Sequence, residues 1–337
     1  MNILNTQFLL NVLLFFLFAS LQFCRNKDLA PLPPDPVEEA PRISTSVASE
    51  ILDSSAVCGG SIQSGDSTAI QSWGLCRSTF SMAGLSSGII EKPAFFGSFS
   101  LKMKGLEPGT KYFVRAFAIW KGDTLYGNEI EFSTADLCDV DGNTYKSIAI
   151  GSQVWMQENL KTRHYRNGDS IPYGLSNNTW EFWYQGACSE YNNDPAYGKV
   201  YGLVYNGYAT ADPRELCPAG WHLPDEKEWM VLMNYLGGTG KAGGKMKSRG
   251  SRDKGDGLWL PPNVAATNSS GFSALPAGHR NPDGTYHEDG KSAYWWARFD
   301  TPGLDRDTCI DLTYYAEYSN LGKEKLENGF SIRCVKD

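Results

Sequence analysis

Two segments near the end of the chain read as the two halves of one closure. Leu216-Cys217-Pro218-Ala219-Gly220-Trp221-His222-Leu223-Pro224 runs into a capped helix start, and Gly329-Phe330-Ser331-Ile332-Arg333-Cys334-Val335-Lys336-Asp337 is an apolar strand with a cysteine inside it. A domain that ends on such a strand is expected to be tied shut there, and a bond between Cys217 and Cys334 is the expected tie. It would enclose an aromatic-rich, loop-rich stretch with little other regular structure. Such a stretch can carry a binding surface.

At 337 residues the chain has room for about two domains. Its ten Trp and 35 Gly suggest loops pinned by large rings rather than long helices. A net charge of −7 gives no electrostatic footprint for nucleic acid, so no nucleic-acid partner is expected. Six Lys/Arg fall between Lys241 and Lys254, but Asp253 and Asp256 share the region, which reads as a solvated loop. Residues 8–23 are apolar apart from Asn11, Ser20 and Gln22, shorter than the roughly 20 residues that span a bilayer comfortably, and placed like a secretory signal. Cys24 ends the run and Arg25-Asn26-Lys27-Asp28 follows. Residues 1–24 thus resemble a bacterial lipoprotein signal, in which the cysteine is acylated. Leu21 suits that pattern, whereas Gln22 and Phe23 stand where small residues are usual, and an ordinary signal is the alternative. Either way the protein is expected to leave the cytoplasm. The lipid reading anchors it in the outer membrane, with the periplasmic or cell-surface face left open. Residues 25–41 hold prolines at 31, 33, 34, 36 and 41 and read as an extended tether.

Over residues 42–135 short alternating runs between turn residues argue for a β-sandwich. Ser55-Ala56-Val57-Cys58-Gly59-Gly60-Ser61-Ile62 and Ile70-Gln71-Ser72-Trp73-Gly74-Leu75-Cys76 are candidate strands. In Leu106-Glu107-Pro108-Gly109-Thr110-Lys111-Tyr112-Phe113-Val114-Arg115-Ala116 a Pro-Gly turn feeds a strand whose Tyr112 can fold its hydroxyl back onto the turn, as in a tyrosine corner. Tyr126-Gly127-Asn128-Glu129-Ile130-Glu131-Phe132 is expected to close the sheet as its last strand. These runs resemble the fibronectin type III-like modules of bacterial surface proteins, and the expected role is that of a spacer. Cys58 and Cys76 either bond to each other within the sandwich or stay as buried thiols.

Residues 136–337 read as a second domain. In Asp139-Val140-Asp141-Gly142-Asn143 the glycine is fourth rather than sixth, so a hairpin turn is expected instead of an EF-hand loop. Asp225 as N-cap with Glu228 three residues on makes a capping box. Trp229, Leu232, Met233 and Leu236 follow on one helical face, and Gly237-Gly238 ends the helix. Gly238-Thr239-Gly240-Lys241-Ala242-Gly243 matches G-x-G-x-x-G but follows a helix, not a strand, and nucleotide binding is not expected.

A series of runs then carries a family resemblance. They include Asp141-Gly142-Asn143-x-Tyr145, Gln153-Val154-Trp155-Met156-x-Glu158-Asn159-Leu160, Tyr191-Asn192-Asn193-Asp194 and Tyr201-Gly202-x-x-Tyr205-Asn206. They continue through Cys217-Pro218-x-Gly220-Trp221-His222-x-Pro224, Leu275-Pro276-x-Gly278-x-Arg280, Tyr294-Trp295-Trp296 and Gly329-Phe330-Ser331-x-Arg333-Cys334-Val335. The region resembles the Fibrobacter succinogenes major paralogous domain of envelope lipoproteins, a family that in turn resembles the C-type lectin-like fold. The implied fold class is mainly β with an α+β C-terminal part: a fibronectin type III-like β-sandwich followed by a C-type lectin-like domain.

No catalytic constellation stands out. The four His lack a metal spacing, and Gly271-Phe272-Ser273-Ala274-Leu275 misses the nucleophile elbow at its last position. Asn281-Pro282-Asp283 and Asn192-Asn193-Asp194 echo lectin calcium ligands only in part. The related formylglycine-generating enzymes need a reactive cysteine pair, for which this chain offers only Cys309 and Cys334. The chain is therefore expected to be a non-enzymatic envelope lipoprotein without cofactor or metal, with calcium as the alternative, binding glycan or protein. A hydrolase or oxidase on the same scaffold, or a purely structural envelope component, is the alternative. Aromatic residues without periodicity are the expected ligand contacts: Trp180, Trp183, Tyr184, Trp259, Tyr286, Phe299, Tyr314, Tyr315 and Tyr318, with the 314–318 run foremost. Trp295 and Trp296 read as core. If Cys24 is acylated, at least one of Cys138, Cys188 and Cys309 is left unpaired.

Overall fold

A computed structural model describes residues 39–63, 69–86, 89–93, 97–298 and 305–337. The signal segment, Cys24, most of the tether and Phe299 lie outside the described residues. The chain is mainly β.

The first eight strands are β1 (Arg42–Thr45), β2 (Ser55–Gln63), β3 (Ile70–Ser78), β4 (Ile89–Pro93), β5 (Gly97–Lys104), β6 (Lys111–Trp120), β7 (Asp123–Tyr126) and β8 (Ile130–Ser133). They form two sheets, ordered β1-β2-β5 and β4-β3-β6-β7, with β8 also beside β6. Ala56, Leu75, Val114, Ala116 and Phe132 fill the space between them. The expected last strand is present but broken between β7 and β8, where the chain presses on β1: a Cβ on Gly127 would lie 2.7 Å from Thr45 Oγ1. The tyrosine corner forms as expected, with the Glu107 N–H donating to the Tyr112 hydroxyl at 2.9 Å.

Cys58 and Cys76 do not bond, and both are buried thiols. Alternation along β3 sends Leu75 between the sheets, where Cys58 also lies, and turns Cys76 to the opposite face against Ala83 and Phe117. The Cys58 Sγ donates to Ser46 O at 3.3 Å and the Cys76 Sγ to Ala83 O at 3.3 Å.

The following strands are β9 (Leu137–Cys138), β10 (Thr144–Tyr145), β11 (Ser147–Ile150), β12 (Gln153–Met156), β13 (Cys188–Ser189), β14 (Val204–Asn206) and β15 (Trp221–His222). The last are β16 (His279–Arg280), β17 (Tyr286–His287), β18 (Ser292–Trp296), β19 (Arg306–Thr313), β20 (Ser319–Lys325), β21 (Gly329–Phe330) and β22 (Val335–Lys336). Five α-helices lie among the described residues: α1 (Asn177–Glu181), α2 (Pro195–Tyr201), α3 (Gly207–Thr210), α4 (Glu226–Tyr235) and α5 (Thr239–Met246). Beyond the hairpin of β9 and β10, the sheets run β11-β12-β22-β15, β13-β14-β21-β16-β17 and β18-β19-β20. The hairpin turn is the expected one. Asp139 Oδ1 accepts from the N–H of Asp141 at 3.0 Å and of Asn143 at 2.9 Å, so the carboxylate is consumed by its own loop.

The closure forms. β22 inserts between β12 and β15, pairing Val335 with Trp155 and His222, and Lys336 with Trp221. The Cys217–Cys334 disulfide lies beside it, with Cα atoms 5.9 Å apart. The stretch that it encloses, expected to be nearly structureless, carries the β18-β19-β20 meander. Along β19, Ile310 and Leu312 face the core with Trp295 while Cys309 enters a second apolar cluster. A strand buried on both faces shows no clean alternation, which is why its sequence reads as loop.

The capping box of α4 is present in both directions. The basic run after it is not a solvated loop, because α5 occupies its first part and Lys247 is fully buried. Its glycines serve close packing, since a Cβ would meet Tyr318 O at 2.3 Å from Gly243 and Ala265 O at 2.7 Å from Gly244. The Lys247 Nζ donates to Thr313 O at 2.9 Å and Ala316 O at 2.7 Å, pinning the loop that carries Tyr314 and Tyr315.

Rings from distant segments meet in the core. Trp155 packs on Trp229 with centroids 4.7 Å apart, and Phe272 meets Trp295 edge-on at 5.6 Å. Burial of each such ring is worth about 2–3 kcal/mol. Trp295 and Trp296 are both fully buried, as expected. Arg333 is buried too, held by neutral acceptors: its Nε donates to Asn159 Oδ1 at 2.9 Å and its Nη2 to Ser273 O at 3.2 Å. Asn159 Oδ1 also accepts from Trp295 Nε1 at 2.9 Å, and its Nδ2 donates to Tyr201 O at 2.8 Å. One amide thus joins the closing strand, the aromatic core and the end of α2.

Candidate functional site

The site grows from α2. Asp194 caps it, its Oδ1 accepting the Ala196 N–H at 2.9 Å, Pro195 opens it with a preset φ, and Gly202 at φ 78° ends it. The i, i+3, i+4 spacing gathers Tyr197, Val200 and Tyr201 on one side of the helix. On that side Tyr191, Tyr197 and Tyr201 form a ladder of near-parallel rings. Centroids are 5.4 Å apart at 27° for the first pair and 5.6 Å apart at 24° for the second. Tyr286 packs on Tyr191 at 5.2 Å. Val200 and Leu258 border an open groove of about 290 Å³ beside this shelf.

A charged fork stands at the groove. Arg252 donates from Nη1 to Asp289 Oδ2 at 3.0 Å and from Nη2 to Asp289 Oδ1 at 2.6 Å, and Nη2 also reaches the Tyr201 hydroxyl at 3.1 Å. The Asp289 hydrogen bonds raise the Arg252 pKa, so the guanidinium stays charged. Burial raises the pKa of Tyr201 and of Tyr191, so both hydroxyls stay protonated at neutral pH. Asn192 and Asn193 both adopt left-handed backbone, at φ 58° and 53°. Asn tolerates that region better than most residues, and Asn193 Oδ1 accepts the Tyr286 hydroxyl at 3.0 Å.

The aromatics expected from sequence to contact ligand scatter over the domain. Trp180 is 1% exposed and Trp259 0%, so neither can meet a ligand as built. The Trp180 Nε1 donates to Glu327 O at 2.8 Å and its ring covers the buried Arg280 guanidinium at 4.1 Å. Arg280 holds loops together, donating from Nε to Gly284 O at 2.9 Å and from Nη2 to Leu175 O at 2.7 Å. The Trp259 Nε1 donates to Ala274 O at 3.0 Å. Tyr286 is half-buried at the inner edge of the shelf. Trp183, half-buried, and Tyr184, exposed, form a patch with Tyr208 and the exposed Phe182. Tyr314 is half-buried against Tyr315 at 5.4 Å, while Tyr315 and Tyr318 are exposed and share a hydroxyl hydrogen bond. The structure thus brings together Tyr286 with residues not singled out in advance: Tyr191, Tyr197, Tyr201, Arg252 and Asp289. For α2 a signal existed, since Asp194-Pro195 is a helix start and Gly202 a stop. For the fork there was none, because its members lie 37 residues apart.

Other expected candidates have internal roles. The His222 ring bridges Asp337 Oδ1 at 2.6 Å and Glu228 Oε1 at 2.8 Å. Cys138, Cys188 and Cys309 are all unpaired. Among the described residues no three His, Cys, Asp or Glu side chains are grouped to hold a metal ion.

The model of the Fibrobacter succinogenes major domain matches residues 148–336, more than half of the chain. The chain belongs to that family. Residues of the family-like runs, including Trp155, Asn159, Arg280, Trp295 and Arg333, are the ones that build its core and pin its loops. No curated protein matches the chain. Among solved structures, the sensor domain of the anti-sigma factor RsgI4 of Pseudobacteroides cellulosolvens is 19% identical, covering 28% of this chain and 74% of that one at a TM-score of 0.23. The fibronectin type III domain derived from the human KIAA0970 protein is 16% identical, covering 28% of this chain and 72% of that one at a TM-score of 0.20. Likeness at that level carries no argument about this protein.

Proposed function

We propose that this protein is a non-enzymatic, lipid-anchored binding protein of the cell envelope whose C-terminal domain takes a glycan at the tyrosine shelf. In this reading Cys24 carries the anchor in the outer membrane and the proline-rich tether follows it. The sandwich is a fibronectin type III-like spacer, in keeping with its partition of strands between two sheets. The family domain is a C-type lectin-like presenter, in keeping with a last strand stapled back beside β15. Binding needs neither calcium nor a cofactor.

The ladder beside the fork carries the proposal. Tyr197, half-buried on the groove, offers the ring that a sugar can meet, backed by the buried Tyr191 and Tyr201, and the Arg252 guanidinium borders the groove as a polar group for hydroxyls. A groove of about 290 Å³ lies at the low end of small-ligand sites, which favours a short stretch of glycan over a broad protein surface. The test is binding of the full chain to glycan and envelope-protein arrays, repeated with Tyr197→Ala. A central ring of a binding site costs about 2 kcal/mol or more when truncated, so glycan affinity should fall at least about 30-fold. Unchanged affinity, or a folded protein that binds only proteins or nothing, refutes the shelf reading.

A further inference from the structure

The opposite side of α2 borders a second cleft, of about 350 Å³, lined by Lys161, Arg163, His164, Glu190 and Lys199 among others. Its carboxylates are already occupied. Glu190, almost fully buried, accepts from Arg163 Nη2 at 2.8 Å through Oε1, while its Oε2 accepts the Tyr173 hydroxyl. Asp141, the other acid of the cleft, accepts the Arg163 N–H at 2.6 Å and the Thr162 hydroxyl at 3.0 Å through Oδ2, and its Oδ1 lies 2.5 Å from His164 Nδ1.

Its donors are only partly occupied, Arg163 Nη2 by Glu190 and the Tyr173 hydroxyl and the Lys161 ammonium by the face of Tyr145. Among the described residues Lys161 and Lys199 form no ion pair, and neither Nε nor Nη1 of Arg163 is hydrogen-bonded. Stacking on Tyr173 at 3.8 Å and the Nη2 bonds to Glu190 and to the Tyr173 hydroxyl hold the Arg163 guanidinium in one place, with Nε and Nη1 left as single donors. A cleft whose acceptors are spent and whose cationic donors remain partly open selects an anion. Both bidentate edges of the guanidinium include Nη2, which already donates to Glu190 and to the Tyr173 hydroxyl, so an incoming anion takes single bonds from Nε or Nη1 together with the charge of the two ammonium groups.

From these groups we infer that the ligand is an acidic glycan, its sugar rings at the tyrosine shelf and an anionic substituent, carboxylate or sulfate, in the Lys161–Arg163–Lys199 cleft. The inference rests on the glycan reading above and adds the charge of the ligand. One short helix, about 10–12 Å across with its side chains, separates the two grooves, so neighbouring parts of one chain can occupy both.

The experiment titrates the full-length protein, Lys161→Ala/Lys199→Ala and Tyr197→Ala with polygalacturonate, dextran sulfate and neutral dextran. Lys199 is exposed and Lys161 is half-buried with its ammonium 5.9 Å from the ring of the core residue Tyr145, so a thermal melt of the variant checks that it is folded. Polygalacturonate and dextran sulfate should bind in preference to dextran, weaken with ionic strength, and lose about ten-fold or more in affinity in the lysine variant. Equal binding of dextran, or a lysine variant that binds both polyanions like the unmodified protein, overturns the anion assignment. The two readings separate cleanly. Loss in the lysine variant alone keeps the cleft and removes the shelf, and loss in Tyr197→Ala alone does the reverse.

Discussion

Replacing Cys217 and Cys334 together by alanine opens a closure that spans 117 residues of chain. The disulfide should act mainly on the unfolded ensemble, where a loop of that length loses about 5 kcal/mol of entropy at 25 °C in the chain-entropy account. Native bonds in practice contribute about 2–5 kcal/mol, and the buried positions of both sulfurs add a small cavity term to the variant. Against this, β22 keeps its pairing with β12 and β15, so the last strand should stay docked in the folded variant. The expected net loss is about 3–5 kcal/mol. At about 2–4 °C per kcal/mol for a domain near 200 residues, the melting temperature should fall by roughly 6–20 °C. Thermal unfolding followed by tryptophan fluorescence reads this directly, because Trp155, Trp221 and Trp229 all sit in or beside the closure. The unmodified protein melted with reductant should reproduce the variant. A fall below about 1 kcal/mol in both experiments would refute the reasoning, and would mean that strand pairing alone keeps the domain shut.

Two further predictions concern pH. Burial lowers the pKa of His222, but its hydrogen bonds to Asp337 and Glu228 outweigh that and raise it overall. The charged bridge therefore contributes fully below the unfolded value near 6.5, and that contribution is lost as pH rises through the higher folded value. His222→Gln should flatten this decline in a pH series of urea unfolding, and profiles that superimpose would exclude the bridge as a source of stability. Burial pushes Lys247 down from 10.5 to about 8. Between those values the unfolded chain binds more protons, so stability should rise with pH across that window. Lys247→Met should remove the rise and, by leaving Thr313 O and Ala316 O without a donor, cost about 1–3 kcal/mol for each at neutral pH. A rise that persists in Lys247→Met assigns it to another group.

What could be read in advance depended on how local the signal was. The helix of Asp225 and Glu228, the Tyr112 corner and the Asp139 turn are each set by residues within a few positions of one another, and all formed as expected. The disulfide needed only two segments of clear character. Trp180 was misread because nothing near it reveals Arg280, which arrives from 100 residues away to lie under its ring. Trp259 was misread for the same reason, its acceptor being Ala274 O. The glycines of α5 look like a flexible loop until the backbone at Ala265 and Tyr318 is seen against them. The shelf is the mixed case: its helix was written in Asp194-Pro195 and Gly202, whereas its fork exists only in three dimensions.

The unpaired cysteines carry a consequence for how the chain matures. Cys58, Cys76, Cys138, Cys188 and Cys309 are free, and burial pushes Cys58 and Cys138 each up to about 11, so almost no thiolate is present at neutral pH. In the finished molecule these five thiols are therefore nearly inert to thiol reagents, while in a nascent one they are rival partners for Cys217. Domains generally fold as units from the N-terminus, so the sandwich would lock away Cys58 and Cys76 before Cys217 has been synthesised. The native bond must still wait for Cys334, 117 residues after Cys217, and until then packing is the safeguard against wrong crosslinks.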